Sequence, residues 1–501
     1  MIKILSAAKI YEADRATCAE EKINSIELME RAAACCVDWI IDNCAKNNSF
    51  LIFCGPGKNG GDGLAIARML INKGHKVKII VSENENSISA DAHINLQRLQ
   101  SSFPHLIHKF SEIQQPIEVN STIIDALFGI GLNRCPEFPY NEMIEWINQQ
   151  NCPKISIDVP SGISVSLLGN QFCEVVKANF TLTFQLPKLS FLLPQSGELV
   201  GKLIVLDIGL SSKYIEKAEC SYFLMEEKDI KNLIQPRKKF AHKGIFGHSL
   251  LIAGMRGKMG AAMLSAHACL KSGSGLVSAL VPESEAFLMQ SYLPEAMLLR
   301  DDPNISISAF SNFSAIGIGP GLGTDEKAQK KVKFLIQNSL TPIVFDADAI
   351  NILADNKTWL SFMQPGNIFT PHFKEFERLT EKADSDNHRH KLAIDFAKKY
   401  SSYVILKGKY SCICCPDGKI YFNPSGNAGM AKGGSGDLLT GIVTALLAQN
   451  YSAKNACLIA TYVHGLAGDL AAADYGEISL MARDILNHIP AAFKKVSFTA
   501  N

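Results

Sequence analysis

Short apolar runs alternate with segments of helical period along most of this 501-residue chain, and that alternation narrows the fold more than any other feature. An apolar run of four to eight residues bounded by turn signals reads as a buried strand. Strands separated by helices pair most simply in parallel, so the chain is read as α/β. In the first half strands are predicted at Leu51–Cys54, Val77–Val81, Thr122–Asp125, Ile155–Asp158, Asn179–Phe184 and Gly201–Gly209. Helices fit at Gly63–Asn72, about Ala90–Gln100 and Asn141–Gln149. Two more helices precede the first strand and would cover a sheet edge or a partner subunit. The alternation lapses over Ser211–Gln235, and a second series begins at "GHSLLIAG" and closes in long apolar helices from Gly434 to about Ala473. The length and the lack of an internal repeat point to two different domains, 1–215 and 225–494.

Composition removes several partner classes. Fifty basic residues against forty-nine acidic ones leave a net charge of +1, which offers no electrostatic drive toward nucleic acid or an anionic membrane. No apolar run approaches the eighteen or so residues of a membrane span. The N-terminus is too acidic, and its apolar stretch too short, for a secretory signal. A cytoplasmic location is expected, and in that reducing compartment the fourteen cysteines should stay unpaired. The knot Cys412, Cys414 and Cys415 reads as small apolar residues on a strand, because no second ligand pair at zinc spacing follows it.

The stretch "LIFCGPGKNGGDGLAIARML", Leu51–Leu70, contains G-x-G-x-x-G at Gly55, Gly57 and Gly60, between a strand and a helix. An ordinary dinucleotide site would end there, with Glu83 after the next strand as the ribose acid. The loop instead continues through Asn59, Gly61, Asp62 and Gly63. Two further strand ends carry unusual residues: Asp125 with Gly129 and Gly131 in "IIDALFGIGLNR", and Asp158, Pro160, Ser161 and Gly162 in "SIDVPSG". Loop amides ahead of a helix cradle a phosphate. Asn59, Asp125 and Ser161 offer oxygens that suit a large monovalent cation at least as well as Mg²⁺.

In the second half, "GNAGMAKGGSGDLLTGIVTALLAQ" leads through Gly433, Gly434 and Gly436 into an apolar helix with Asp437 in its first turn. Such a helix start can hold a transferring phosphoryl group, and Asp437 can accept the proton of an attacking hydroxyl. The plainer alternative is compensation of the helix dipole. "LKGKYS", Lys407–Ser411, suits nucleotide phosphates. "GIGPGLG" allows close backbone approach at Gly319, Gly321 and Gly323, and "TPHFKEF" sets His372 at a helix start.

"GPGKNGGDG", "DALFGIGL" and "DVPSG" resemble the NAD(P)H-hydrate epimerase domain, a Rossmann-like three-layer fold, over roughly 10–214. The resemblance implies binding of hydrated NADH or NADPH by Lys58, Asn59, Gly60, Gly61 and Asp62. It implies further contacts from Gly129, Ile130, Gly131, Leu132, Asn133, Arg134 and Cys135, and from Asp158. It also implies potassium at Asn59, Asp125 and Ser161. Lys58 departs from the family, which usually has Asn there. Asp158 is our choice of general acid/base. Lys188, in "FQLPKLSF", is either a second such group or a surface lysine.

"HKGIFG", "GPGLG", "TPH" and "GGSGD" resemble the ADP- or ATP-dependent NAD(P)H-hydrate dehydratases, ribokinase-like domains, over roughly 225–494. The resemblance implies substrate contacts at Ala261, Gly321, His372 and Asp437. It implies nucleotide contacts at Lys407, Gly408, Lys409, Tyr410, Ser411 and Gly436, with ADP and Mg²⁺ as co-substrate. Lys432 stands where the family usually has Thr. The implied function is bifunctional metabolite repair by a homo-oligomer: R and S hydrates are interconverted, and the S form is phosphorylated and dehydrated. The alternatives are a small-molecule kinase with a regulatory first domain, and a first domain that only binds.

Overall fold

The computed structural model describes residues 1–45, 48–82, 88–113, 120–164, 173–301 and 310–497. Glu83 lies outside the described residues. The chain divides into two compact units, Lys3–Cys220 and Ser221–Asn501, and the second also takes in Met1 and Ile2.

The first unit is built on a seven-stranded sheet, every pair parallel. Its order in space is Ile107–Lys109, Lys76–Val81, Ser49–Cys54, Ser121–Ala126, Lys154–Ile157, Phe180–Phe184 and Lys202–Leu206. Side chains alternate across a strand, and both faces of this sheet are covered, which is why its strands are apolar throughout. Phe50, Ile52 and Cys54 pack beneath the helices Ser25–Asn43, Lys58–Asn72 and Ala90–Ser102, while Leu51 and Phe53 face the helix Tyr140–Gln149. Strand order reverses between Ser49–Cys54 and Ser121–Ala126. A doubly wound sheet opens a crevice at such a reversal, at the carboxyl ends of its strands. The glycine loop and Asp125 stand at those two ends.

Two boundaries differ from the sequence reading. The helix after the first strand starts at Lys58, not Gly63, so Asn59–Gly63 form its first turns. Asp158 is not in a strand. Its φ of +62° puts it in the left-handed region, where Asp is tolerated better than most residues.

In the second unit the sheet runs in space from Tyr222–Leu224 through Ile420–Phe422, Cys412–Cys414, Tyr403–Leu406, Ile368–Phe369, Ile343–Phe345, Ala315–Ile318, His248–Ile252 and Leu276–Leu280 to Met297–Leu299. Its centre is parallel, and Cys412–Cys414 pairs antiparallel with both neighbours. The segment Ser211–Gln235, which lacks a clear period, holds a helix at Ser212–Lys217, the strand Tyr222–Leu224 and a helix at Glu227–Leu233.

Helix Ser435–Ala448 is apolar on every side because every side is covered; all its residues from Leu438 to Ala448 are buried. The expectation that nothing approaches a membrane span needs correcting. Helix Ala453–Tyr475 is long and apolar enough by length and composition, but 72% of its apolar window is buried inside the fold as core.

Candidate active sites

In the first unit a cavity of about 530 Å³ opens at the strand-order reversal. Lys58, Asn59 and Asp62 from the glycine-loop helix line it, with Gly129, Ile130, Gly131, Leu132, Asn133 and Arg134, and with Asp158. The glycine loop is tight because Gly55 and Gly60 leave no room for a side chain. A Cβ on Gly55 would fall 1.8 Å from the Leu127 carbonyl, and one on Gly60 would fall 1.8 Å from the carbonyl of Gly55. Gly60 and Gly61 therefore shape the turn and do not line the cavity; Gly61 packs on the Met29 side chain.

Asp158 and Lys188 form the polar centre. Lys188 Nζ donates to Asp158 Oδ1 at 2.6 Å, to Thr183 Oγ1 at 2.6 Å and to the Phe184 carbonyl at 3.2 Å. The Lys188 side chain is 1% exposed, which overturns its reading as a surface lysine. A buried lysine is stable only when its charge is paired, and Asp158 pairs it.

Behind the cavity, Asp125 is fully buried and accepts from the Ser161 hydroxyl at 2.5 Å, the Ser161 amide at 2.9 Å, the Ser156 hydroxyl at 2.8 Å and the Leu127 amide at 3.3 Å. Burial pushes the Asp125 carboxyl up, and those bonds oppose the push. Asn59 donates Nδ2 to the Phe128 carbonyl at 2.9 Å, and the Ser161 hydroxyl lies 3.4 Å from that same carbonyl. Asn59 Oδ1 is buried with no hydrogen-bond partner among the described residues. An orphaned buried amide oxygen beside a buried carboxylate and a hydroxyl fits a cation of low charge.

The helix Ala7–Glu21, read from sequence as a cover, also walls the cavity. Tyr11, Asp14, Arg15 and Cys18 face inward at i, i+3, i+4 and i+7. Lys58 lies over the Tyr11 ring, 5.5 Å from its centroid. Burial raises the Asp14 carboxyl to about 6, with Lys58 opposing and Asp158 adding. Burial, then Asp158 and Asp14, hold Asp62 well above its ordinary value.

In the second unit, Gly434 at φ +95° turns the chain into the helix that carries Gly436 and Asp437. A Cβ on Gly436 would lie 3.3 Å from Lys407 Nζ, so the nucleotide candidates Gly436 and Lys407 meet. Lys407 bonds Asp346 Oδ1 at 3.0 Å and reaches Glu375 Oε2 at 3.9 Å. Burial works against the Lys407 ammonium, but Asp346 and Glu375 outweigh it and raise its pKa. Burial also lifts the Asp437 carboxyl to about 6, with Asp346 adding and Lys407 opposing.

His372 neighbours Lys407 across a parallel bridge and caps its helix, its Nδ1 accepting from the Glu375 amide at 3.2 Å. Its side chain remains 52% exposed. Gly321 and Ala261 meet, since a Cβ on Gly321 would lie 3.0 Å from that of Ala261. Asp348 ties this pair to the rest: its Oδ2 accepts from the Gly323 amide at 2.8 Å, and its charge adds to the rise at Asp437. Gly408 and Ser411 close one turn on each other, Tyr410 sits between them, and Lys409 bonds the Gly426 carbonyl at 2.8 Å. Lys432 bonds the Ile478 carbonyl at 2.6 Å.

Residues 25–190 match a family described as the YjeF-related protein N-terminus, and 249–491 one described as NAD(P)H-hydrate dehydratase. The bifunctional NAD(P)H-hydrate repair enzyme of Moorella thermoacetica is 34% identical over 98% of this chain and 97% of its own. The chain belongs to that family of bifunctional NAD(P)H-hydrate repair enzymes. The Escherichia coli repair enzyme is 29% identical, covering 92% of this chain and 88% of its own. Among solved structures, a ribokinase-like superfamily protein of Enterococcus faecalis is 27% identical with a TM-score of 0.51, covering 56% of this chain and 98% of its own. An ADP/ATP-dependent NAD(P)H-hydrate dehydratase of Bacillus subtilis, co-crystallised with ATP and Mg²⁺, is 30% identical with a TM-score of 0.49, covering 55% and 98%.

Cys135 and Cys173 form a disulfide, Cα atoms 5.4 Å apart, so not all fourteen cysteines are free. The pairing is non-local: Val176 bonds the Ser161 carbonyl at 2.9 Å, which returns the chain beside the cavity loop that ends at Cys135. Cys135 itself ends that loop and does not line the cavity. Asp346, anchored by Thr370 and Thr440 hydroxyls at 2.8 Å each, was legible by the same strand-end rule that finds Asp125 but reads equally as a helix cap. Tyr11 and Asp14 carried only their helical spacing.

Proposed function

We propose that the first unit interconverts the R and S hydrates of NADH and NADPH, and that the second dehydrates the S form with a nucleotide. The observation that carries this reading is end-to-end likeness to the repair enzymes, with a carboxylate beside a lysine in each candidate site, Lys188 buried and Lys407 half-buried. In the first site the amides of Lys58 and Asn59, at the start of their helix, hold the dinucleotide phosphates, and the Gly129–Arg134 loop covers the damaged ring. Asp158 handles the proton at the hydroxyl-bearing C6, oriented by Lys188. Asn59, Asp125 and Ser161 would hold potassium, which would supply a fixed positive charge to the site.

In the second site the C6 hydroxyl attacks the terminal phosphoryl group of ADP, supplied with Mg²⁺, while Asp437 takes the hydroxyl proton. AMP leaves, and C6 now carries phosphate, a far better leaving group than hydroxide. Loss of phosphate from C6, with a proton from C5 that the departing phosphate or solvent accepts, restores the ring double bond and yields NADH or NADPH. Lys407 through Ser411 and Gly436 steady the nucleotide; Ala261, Gly321 and His372 line the substrate's path.

Mixed R and S hydrates given ADP and Mg²⁺ test the reading. Complete return of reduced-nicotinamide absorbance with one phosphate released per turnover supports it. A stable phosphorylated product would replace it with a kinase.

A further inference from the structure

Interconverting two hydrates at C6 demands proton handling on both faces of the ring. If the hydroxyl leaves one face as water, taking a proton from an acid, the nitrogen lone pair forms an iminium. Water then adds to the other face and gives its proton to a base. One proton is spent and one returned, so the step balances, but a single carboxylate cannot face both sides at once. Asp158 occupies one wall, at the end of strand Lys154–Ile157.

The loop Gly129–Arg134 crosses from that wall to another. A Cβ on Gly129 would lie 3.6 Å from Asp158 Oδ2, and one on Gly131 would lie 2.9 Å from the Tyr11 hydroxyl. Asp14 stands one helical turn from Tyr11, on the same inward face. We propose that Asp14 is the second proton-exchanging group of the epimerase cavity, serving the ring face opposite Asp158. This rests on the epimerase reading of the cavity.

Three observations support the assignment. Asp14 lines the cavity on an element separate from the one that carries Asp158. Asp125 is saturated by four hydrogen bonds and Asp158 is paired to Lys188, but no hydrogen bond or ion pair holds the Asp14 carboxylate among the described residues. Its charge environment is mixed: Lys58, Lys188 and Arg15 favour the anion, while burial and Asp158 favour the acid. The balance at about 6 lets it both give and take a proton near neutral pH.

The test uses the full chain and pure R hydrate, with S hydrate plus ADP as a separate substrate. Asp14→Asn is expected to slow R-to-S conversion about 100-fold or more with KM within a few-fold, and to remove the limb of the pH–rate profile near 6. Asp14→Glu is expected to restore a substantial part of the rate, which a packing role would not predict. Dehydration of S hydrate by the second unit should stay at the wild-type rate in both variants. An Asp14→Asn enzyme that epimerises at the wild-type rate, or an Asp14→Glu enzyme no better than Asn, overturns the proposal. Failure of the wild-type chain to convert R hydrate overturns the epimerase reading itself, a separate result.

Discussion

Each site sets an aspartate near a lysine, buried at Lys188 and half-buried at Lys407, but the lysine is used differently. In the first unit Lys188 bonds Asp158 directly at 2.6 Å. In the second, Lys407 turns to Asp346 at 3.0 Å and leaves Asp437 with only its field. A direct pair fixes a carboxylate's position. A diverted lysine leaves the carboxylate free to change charge, and Asp437 rises to about 6. The contrast fits the two reactions. Phosphoryl transfer needs one base that accepts a proton during the step, whereas epimerisation needs an anchored group to work with a second on the opposite face of the ring.

The comparison can be broken at each of its ends. Asp437→Asn should have the largest effect, lowering dehydration about 10³–10⁴-fold while R/S interconversion continues, read by separating the epimers chromatographically. Lys188→Met comes next. It strips the partner from a buried carboxylate, so the first unit should lose about 3–5 kcal/mol in urea unfolding along with epimerisation, while the second unit still dehydrates S hydrate.

A smaller effect sharpens the second site. Dehydration should fall about tenfold per pH unit below about 6 as Asp437 protonates, and Lys407→Met should move that limb upward. The sign for stability runs the other way. A carboxyl raised from 3.8 to about 6 contributes stability that is full below 3.8 and lost as pH rises through 6, so Asp437 costs the folded state at neutral pH. Smallest is Asn59→Leu, which removes the orphaned oxygen. Epimerisation should become insensitive to exchanging potassium for a bulky organic cation, with a loss of a few-fold.

Legibility followed the backbone. Strand ends that carry Asp among glycines, such as Asp125 and the turn at Asp158, stand out because an apolar run stops abruptly at a charge. The glycines at 55 and 60 are demanded by neighbouring carbonyls, so they appear as a motif. Asp14 was hidden because a polar residue on an amphipathic helix reads as solvated until the fold shows which face turns inward. Lys188 could not be decided because burial of a lysine depends on a partner 30 residues away. The Cys135–Cys173 pair was missed because compartment was inferred from composition, and no local spacing joins residues 38 apart.

Two separate sites should act in sequence on one damaged cofactor. Asp158→Asn, given an equal R/S mixture with ADP and Mg²⁺, tests it most directly. The S hydrate should be consumed at the wild-type rate, and the R hydrate should remain when the wild-type reaction is complete. Full conversion of both epimers in that time would contradict it.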